Sequence, residues 1–467
     1  MKPWTATQVA AAAGARLISG PRGVAGARLI SEPPTTTPGP ERASIDSRDT
    51  GPGALFVGLP GANADGGRFA AQALGAGAWG ILATEEHAQA AKGSGPGVLL
   101  AAEDPLKALQ RLATAWRREL NAQVIGVTGS TGKTSTKELL RAVIEPHRRT
   151  VASRANFNTE IGLPLEILAA PAGTEVLVLE MGMRGAGQIA ELAGIAEPDV
   201  GVIVSIGPVH LELLGSLEAI AATKAELIAA LAPGATAVLP AGEPLLAPHH
   251  RADLRTLTFG EGGDVRMRVA RGERVEIDLA GEAITLEVSF AQAHLRRNLL
   301  AAVAAASAIG VRASGRVDLE ISAGRGARLQ LGSGITLIDD CYNANPMSMR
   351  AALDELAAAP IGGEGARRVA VLGDMLELGP DERRFHVEIG EHARAVGVDR
   401  LVTVGPLAAS IAEGFRQSCA SHLTADAAEA AALVPGLLKP GDVVLVKASR
   451  GVGLERVCDV VRSGVPV

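Results

Sequence analysis

The sequence predicts an α/β protein of three domains, and three observations carry that prediction. The chain has 467 residues, more than one hydrophobic core accommodates. Apolar strand-like runs alternate with helical stretches in two blocks, from about 107 to 322 and again from about 323. At the head of the first block a glycine-rich turn stands between an apolar strand and a helix: Val124-Ile125-Gly126-Val127-Thr128-Gly129-Ser130-Thr131-Gly132-Lys133-Thr134-Ser135.

The rest of the chain is organised around that turn. The helix after it carries Leu139, Leu140, Val143 and Ile144 on one face. Glycines permit positive φ and close backbone approach, and N–H groups at a helix start cradle an anion. Lys133 is placed to reach the β- and γ-phosphates of a nucleotide, and the Thr134 hydroxyl to ligate Mg²⁺. The strict Walker spacing puts glycine where Val127 stands, so the pattern is the shorter Thr-Gly-x-x-Gly-Lys-Thr. A glycine-rich hairpin or linker is the competing reading; the flanking strand and helix and the Gly-Lys-Thr core disfavour it. Residues Thr128 to Ser135 are therefore expected to bind ATP, in a central P-loop ATPase domain spanning 107–322.

Residues 1–106 read as a small N-terminal α/β domain. A helix near Thr7–Ala13 precedes turn-rich sequence from Pro33 to Pro40. Short β-like runs follow at Ala54–Leu59, Trp79–Ala83 and Val98–Ala101, with a helical segment Phe69–Ala76. The loops hold Asp46-Ser47-Arg48 and Asp65-Gly66-Gly67-Arg68, which suit a diphosphate or sugar but equally form solvated turns. In the central domain, Val124–Thr128, Val176–Glu180, Val200–Ile206 and Thr236–Leu239 are continuous apolar strands typical of a parallel sheet covered on both faces. Alternating runs at Val265–Val269, Arg274–Leu279 and Ile284–Phe290 read as appended antiparallel strands. A helix from about Arg297 to Ile309 closes the unit. Residues 323–467 repeat the alternation at Ile335–Asp339, Arg368–Leu372, Leu401–Val404 and Val443–Lys447. This is a Rossmann-like domain without the glycine fingerprint. A ligand cleft between domains is expected.

Composition narrows the class. Net charge is −6 and no basic block stands out, which argues against nucleic acid or a membrane surface as partner. Cys341, Cys419 and Cys458 are odd in number and far apart, suiting neither a disulfide framework nor a zinc site. The start, Met1-Lys2-Pro3-Trp4, lacks a signal-peptide core, and the longest apolar run, Leu299 to Val311, is too short to span a bilayer. A cytoplasmic protein is expected.

Further residues stand where chemistry is done. Glu180 ends an apolar strand, and ligands in open α/β sheets lie at strand carboxyl ends. There it would hold Mg²⁺ across from the P-loop, although a strand-end glutamate is common. His210 follows the strand beginning at Val200. The next helix, capped by Ser216, carries an apolar stripe of Leu217, Ile220, Ala221, Leu227, Ile228 and Leu231, and Lys224 falls on that stripe. Lys224 either snorkels to water or points into the site from beneath. Asn156-Phe157-Asn158-Thr159-Glu160-Ile161-Gly162 lines a substrate channel or caps the following helix. Asp339-Asp340-Cys341-Tyr342-Asn343-Ala344-Asn345-Pro346 ends a strand with dense hydrogen-bonding capacity and the chain's one tyrosine.

In this order, and together with Gly373-Asp374-Met375-Leu376-Glu377-Leu378-Gly379, these segments resemble the Mur ligases of peptidoglycan synthesis across all three domains. The resemblance implies an N-terminal domain that holds the UDP end of a substrate through Ser47 and Arg48. It implies a central ATPase domain and a C-terminal domain that brings an incoming amine. The most specific part, Tyr342–Pro346 with Gly373–Gly379, implies joining of D-alanyl-D-alanine to UDP-N-acetylmuramoyl-tripeptide through an acyl phosphate, by a monomer. By resemblance Lys133, His210 and Lys224 are catalytic. Thr134 and Glu180 hold one Mg²⁺, and His210 with a carbamylated Lys224 holds a second. Further ATP contacts fall to His294, Asn298, Asp340 and either Arg325 or Arg328. Substrate contacts fall to Asn156, Asn158, Thr159, Asn343 and Asn345.

Two departures stand out. The family's His-Asn-x-x-Asn near adenine is His294-Leu295-Arg296-Arg297-Asn298 here, and its Asp-Gly-His is Asp65-Gly66-Gly67. Among alternatives, the diaminopimelate- or lysine-adding ligases carry Asp-Asn-Pro-Arg, whereas Met347 follows Asn345-Pro346 here. Folylpolyglutamate synthases lack the look of the Asn156 and Asp340 segments. A non-catalytic ATP-binding protein would dispense with His210 and Lys224, and both are present.

Overall fold

The computed structural model describes residues 1, 3–19, 38–61, 64–154, 156–320, 323–332, 334–363, 365–416 and 421–464. Residues 33–37 of the turn-rich stretch and Cys419 lie outside the described residues. Three sheets follow one another along the chain. The first contains β1 (Arg16–Ser19), β2 (Arg42–Ser44), β3 (Ala54–Val57), β4 (Gly80–Ala83) and β5 (Val98–Ala101). Its order is β1-β5-β4-β3-β2, parallel except for β1 against β5. β1 and β2 escape a pattern reading because they are short and carry polar residues.

The second sheet has ten strands. They are β6 (Gln123–Thr128), β7 (Thr150–Ala152), β8 (Val176–Glu180), β9 (Val200–Ile203), β10 (Thr236–Pro240), β11 (Arg255–Phe259), β12 (Val265–Arg271), β13 (Arg274–Leu279), β14 (Glu282–Val288) and β15 (Arg316–Val317). The order is β15-β14-β13-β12-β11-β10-β9-β6-β8-β7. The β12–β14 strands pair antiparallel, as the alternating runs predict. β6 lies between β9 and β8, so the P-loop leaves the sheet at a switch in strand order, where ligands bind. The helix expected from Arg297 begins instead at Ala293. His294 and Leu295 thus sit in its first turn.

The third sheet has six strands: β16 (Ala327–Gln330), β17 (Thr336–Asp340), β18 (Arg368–Gly373), β19 (Arg400–Val404), β20 (Ser421–Thr424) and β21 (Val443–Lys447). The order is β16-β17-β21-β18-β19-β20, parallel except for β16 against β17. Separate apolar clusters cover its two faces, one around Met349, Leu353 and Ile389, the other around Val434, Leu454 and Val457.

Helix Pro105–Leu120 ties the first sheet to the second. Asp104 caps it, and its buried face carries Leu109, Leu112 and Trp116. Trp4 meets Trp116 edge-on, with ring centroids 5.3 Å apart and planes at 89°. The Trp116 Nε1–H donates to the Ala170 carbonyl at 3.0 Å, so its polar atom is satisfied inside the core. The expected boundary at 106/107 falls at the start of this helix.

Cys341 and Cys458, distant in sequence, meet behind the third sheet. Their thiols donate to Asp339 Oδ1 at 3.0 and 3.4 Å, and Arg462 pairs with the same carboxylate. Thiols and guanidinium together satisfy a buried charge, which fits a structural role. No helix among the described residues is long and apolar enough to cross a membrane.

His386 anchors the Gly373–Gly379 loop. Its Nδ1–H donates to the Glu382 carbonyl at 2.7 Å and its Nε2 accepts the Met375 N–H at 2.9 Å. The bond accepted at Nε2 requires the neutral ring, and burial holds its pKa below the usual 6.5. The unfolded chain therefore takes up a proton near pH 6.5 that the folded chain refuses. The contribution is fully present above that pH and is lost as pH falls below it. Denaturation midpoints of wild type should drop from pH 7 to 5.5 more steeply than those of His386→Gln. The difference should reach at most about 1.4 kcal/mol per pH unit, one proton's worth. Equal slopes would remove His386 as the source.

Candidate active site

A cavity of about 660 Å³ opens between the second and third sheets, walled by Lys133, Thr134, Glu180, His210, Arg325 and Asn343 among others. Gly132 has φ +79, and a Cβ there would stand 2.9 Å from the Asn298 amide, so only glycine fits the turn. The first N–H groups of helix Lys133–Ile144 have no intrahelical acceptor and face the cavity end of the loop. The loop is held from behind. Thr128 Oγ1 donates to the Met181 carbonyl at 2.9 Å, and Ser130 Oγ exchanges 2.9 Å bonds with Gly207. The Thr131 N–H donates to Ser205 Oγ at 2.9 Å. Thr128 and Ser130 thus shape the loop with their side chains.

Lys133 Nζ folds onto the Gly129 carbonyl at 2.8 Å. Burial holds its pKa below the lysine range; Glu180 opposes this and Arg325 adds to it. Thr134 Oγ1 donates to Glu180 Oε2 at 2.9 Å, and Asn158 Nδ2 donates to the other oxygen at 2.8 Å. Asn158, expected at substrate, orients the Glu180 carboxylate from the side. Thr159 also lines the cavity, whereas Asn156 is exposed and does not.

Lys224 is 2% exposed, so it does not snorkel. Among the described residues its ammonium has no hydrogen-bond or ion-pair partner. Burial, and then the Lys133 charge, push its pKa well below the usual range. His210 caps the short helix Leu211–Leu214 with φ +52, and its Nδ1 meets Glu377 of the C-terminal domain. Burial lowers its pKa; Glu377 opposes this, while Lys133 and Lys224 add to it. Lys133 and His210 both line the cavity; Lys224 does not, but it is buried close enough to both for its charge to act on theirs.

Arg325 lines the cavity and lies over the Tyr342 ring at 3.9 Å. Arg328 does not line it; its Nε pairs with Glu355 at 2.9 Å. The structure thus places Arg325, and not Arg328, beside Lys133. His294 and Asn298 line the cavity, with buried Leu295 between them. Burial raises Asp340, against Lys447, whose Nζ lies 2.6 Å from Asp340 Oδ2 and 2.9 Å from the Asn343 carbonyl. Sequence reasoning missed Lys447, although a lysine closing the apolar strand Val443–Val446 at its carboxyl end was the available signal. Asn345 caps helix Pro346–Ala358, its Oδ1 accepting the Ser348 N–H at 3.0 Å. The Asn343 Oδ1 takes the Ala344 N–H at 2.9 Å.

Ser47 and Arg48 lie apart from this cavity. Arg48 binds Asp46 at 2.7 Å and holds that carboxyl down to about 2. Asp65 caps the turn Gly66–Phe69, and His87 Nε2 sits 2.8 Å from its second oxygen. A Cβ at Gly67 would overlap the His87 ring, so an imidazole from elsewhere occupies the space beside the glycine.

The P-loop, its facing carboxylate and the cavity under a third domain define an ATP-using enzyme of the three-domain ligase type. The chain belongs to the Mur ligase family. The Mur ligase family catalytic domain matches residues 42–117, the Mur ligase middle domain 127–306, and the Mur ligase glutamate ligase domain 324–450. A UDP-N-acetylmuramoyl-tripeptide–D-alanyl-D-alanine ligase of Synechocystis sp. is 38% identical, the match covering 88% of this chain and 89% of that protein. MurF from Acinetobacter baumannii superposes with a TM-score of 0.83 at 27% identity over 99% of both chains. MurF from Thermotoga maritima in complex with ADP gives 0.78 at 32% identity, covering 91% of this chain and 97% of that one.

Proposed function

We propose that the protein joins D-alanyl-D-alanine to UDP-N-acetylmuramoyl-tripeptide at the expense of ATP, through an acyl phosphate. The observation that carries this reading is the convergence of Lys133, His210 and Glu180 on one cavity that the Asp340–Pro346 loop closes from the third domain. Arg48 and Ser47 take the UDP end in the first domain, and the acceptor peptide runs past Thr159 to the P-loop. Its terminal carboxylate attacks the γ-phosphorus, the bond to the β,γ-bridging oxygen breaks, and ADP leaves with the acyl phosphate formed. Lys133 and Arg325 offset the meeting of two anions, a task best done by fixed charges in a site that excludes water. The amino group of the dipeptide then attacks the acyl carbon and phosphate leaves. Asp340, braced by Lys447, stands near the incoming amine, and Asn343 offers its Nδ2–H groups to the dipeptide carboxylate. All three reactants meet within one chain, which supports a monomer, and a nucleotide-linked acceptor fits a cytoplasmic step.

Magnesium fits the donor set. Thr134 and Glu180 supply adjacent hard oxygens, and a carbamylated Lys224 with His210 would supply a second pair. Bound there, Mg²⁺ would neutralise phosphate charge. An ammonium cannot ligate a cation, whereas a carbamate presents an anionic oxygen. A buried lysine with a lowered pKa supplies the neutral amine that reacts with CO₂.

ADP release should require both UDP-muramoyl-tripeptide and D-alanyl-D-alanine. Equal turnover with diaminopimelate and a UDP-muramoyl-dipeptide would overturn the assignment. Asn343→Ala should raise KM for D-alanyl-D-alanine more than KM for ATP; a change confined to ATP would move this loop to the nucleotide.

A further inference from the structure

We propose that Glu377 is a positioning residue that reaches from the C-terminal domain to fix the orientation and tautomer of His210, so that docking of that domain completes the metal-binding set. The proposal rests on His210 acting as a ligand under the function proposed above.

Glu377 belongs to the Gly373–Gly379 loop, a motif to which the mechanism assigns no task. Its two carboxylate oxygens are divided. One pairs with Arg184, the other meets His210 Nδ1, and both partners belong to the central domain. The contact has backbone support. The Glu212 N–H donates to the Glu377 carbonyl at 3.2 Å. A Cβ at Gly379 would come within 3.2 Å of Glu212 Cα, so the loop lies flat on the helix that His210 caps. Glu377 itself has φ +64 and His210 has φ +52. Two side-chained residues facing each other from left-handed positions require surroundings that over-determine them, and such residues cluster at functional sites.

The consequence for His210 follows from the chemistry of the acceptor. A carboxylate only accepts, so Nδ1 carries the proton and Nε2 is left with its lone pair. That is the tautomer a metal ligand needs. Carboxylates hydrogen-bonded to ligating histidines are what fix ring orientation in metal sites. Arg184 keeps the carboxylate from rotating. Without the Glu377 carboxylate, His210 would be free to rotate and change tautomer. Docking of the C-terminal domain and metal-site assembly are thereby coupled through a single side chain 167 positions downstream of His210.

Nitrogen-15 histidine spectra of the full-length, ADP-saturated enzyme in chelator test the contact without metal or turnover. Wild type should show His210 as the Nδ1–H tautomer. Arg184→Ala should retain it, because the second oxygen still faces Nδ1, while Glu377→Ala should shift it toward Nε2–H. Titration with Mn²⁺ and ADP, read by electron paramagnetic resonance, should then show the Glu377→Ala site weakened about 10-fold or more. An unchanged His210 tautomer in Glu377→Ala, or unchanged Mn²⁺ affinity, would overturn the proposal. A His210→Ala variant that keeps every Mn²⁺ site of the wild type would instead overturn the ligand reading on which it rests.

Discussion

Lys133→Ala is expected to lower turnover by about 10²- to 10³-fold or more, with the fold intact. The size follows from what the ammonium does. Among the described residues its one bond is to the Gly129 carbonyl, so its loss leaves no buried carboxylate stranded; Glu180 keeps its bonds from Thr134 and Asn158. In the reaction proposed above it would meet phosphate oxygens that gain charge density, and removing one preorganised donor of that kind typically costs 10²–10³ in rate, about 2.7–4 kcal/mol. An exposed ion pair is worth no more than about 1 kcal/mol, under tenfold. Single-turnover ATP cleavage measures the difference. Activity within tenfold of wild type would show that the loop is not the phosphate site of the reaction.

Lys224→Ala is expected to remove most of the acyl-phosphate step while leaving ATP binding largely in place. Lys224 is fully buried and its ammonium has no partner among the described residues, a costly arrangement for a charge. Burial and Lys133 both drive it toward the neutral amine. Carbamylation, as proposed above, would convert that liability into an anionic oxygen. ATP affinity should survive because Lys133 and Thr134 are untouched. Acetate should partly restore the alanine variant by occupying the vacated space. Arginine should not restore it, since guanidinium keeps its charge and cannot ligate a cation. The intact mass of protein prepared in bicarbonate should carry one added CO₂ that Lys224→Ala lacks. Wild-type activity in Lys224→Ala would end the ligand role.

The elements legible in the sequence are those written in local pattern. The apolar runs that became β6, β8, β9, β10 and β21, and the glycine-rich turn after β6, need only the side-chain period and turn chemistry. β7 and β15 were missed because two or three residues carry no periodicity. β11, Arg255–Phe259, was missed because polar Arg255, Thr256 and Thr258 break its run. At the site, residues at strand ends could be placed, but partners could not. The pairing of Asp340 with Lys447 depends on β17 lying beside β21, strands more than a hundred residues apart. The meeting of His210 with Glu377 depends on how two domains dock. The choice between Arg325 and Arg328 turned on a strand boundary. Arg328 lies in β16 and points to Glu355, while Arg325 precedes the strand in a loop that reaches the cavity. Lys224 was the exception: a lysine on an apolar stripe marked a conflict between local rules, and such conflicts gather at functional sites.

The acyl-phosphate route makes a demand on atoms that one experiment reads directly. UDP-muramoyl-tripeptide labelled with ¹⁸O in the terminal carboxylate is turned over with ATP and D-alanyl-D-alanine, and the inorganic phosphate is analysed by mass. If the carboxylate oxygen attacks the γ-phosphate, each phosphate released should carry one labelled oxygen from a doubly labelled carboxylate. Phosphate without label, formed alongside the amide product, would contradict the route and with it the roles given to Lys133, Arg325 and Lys224.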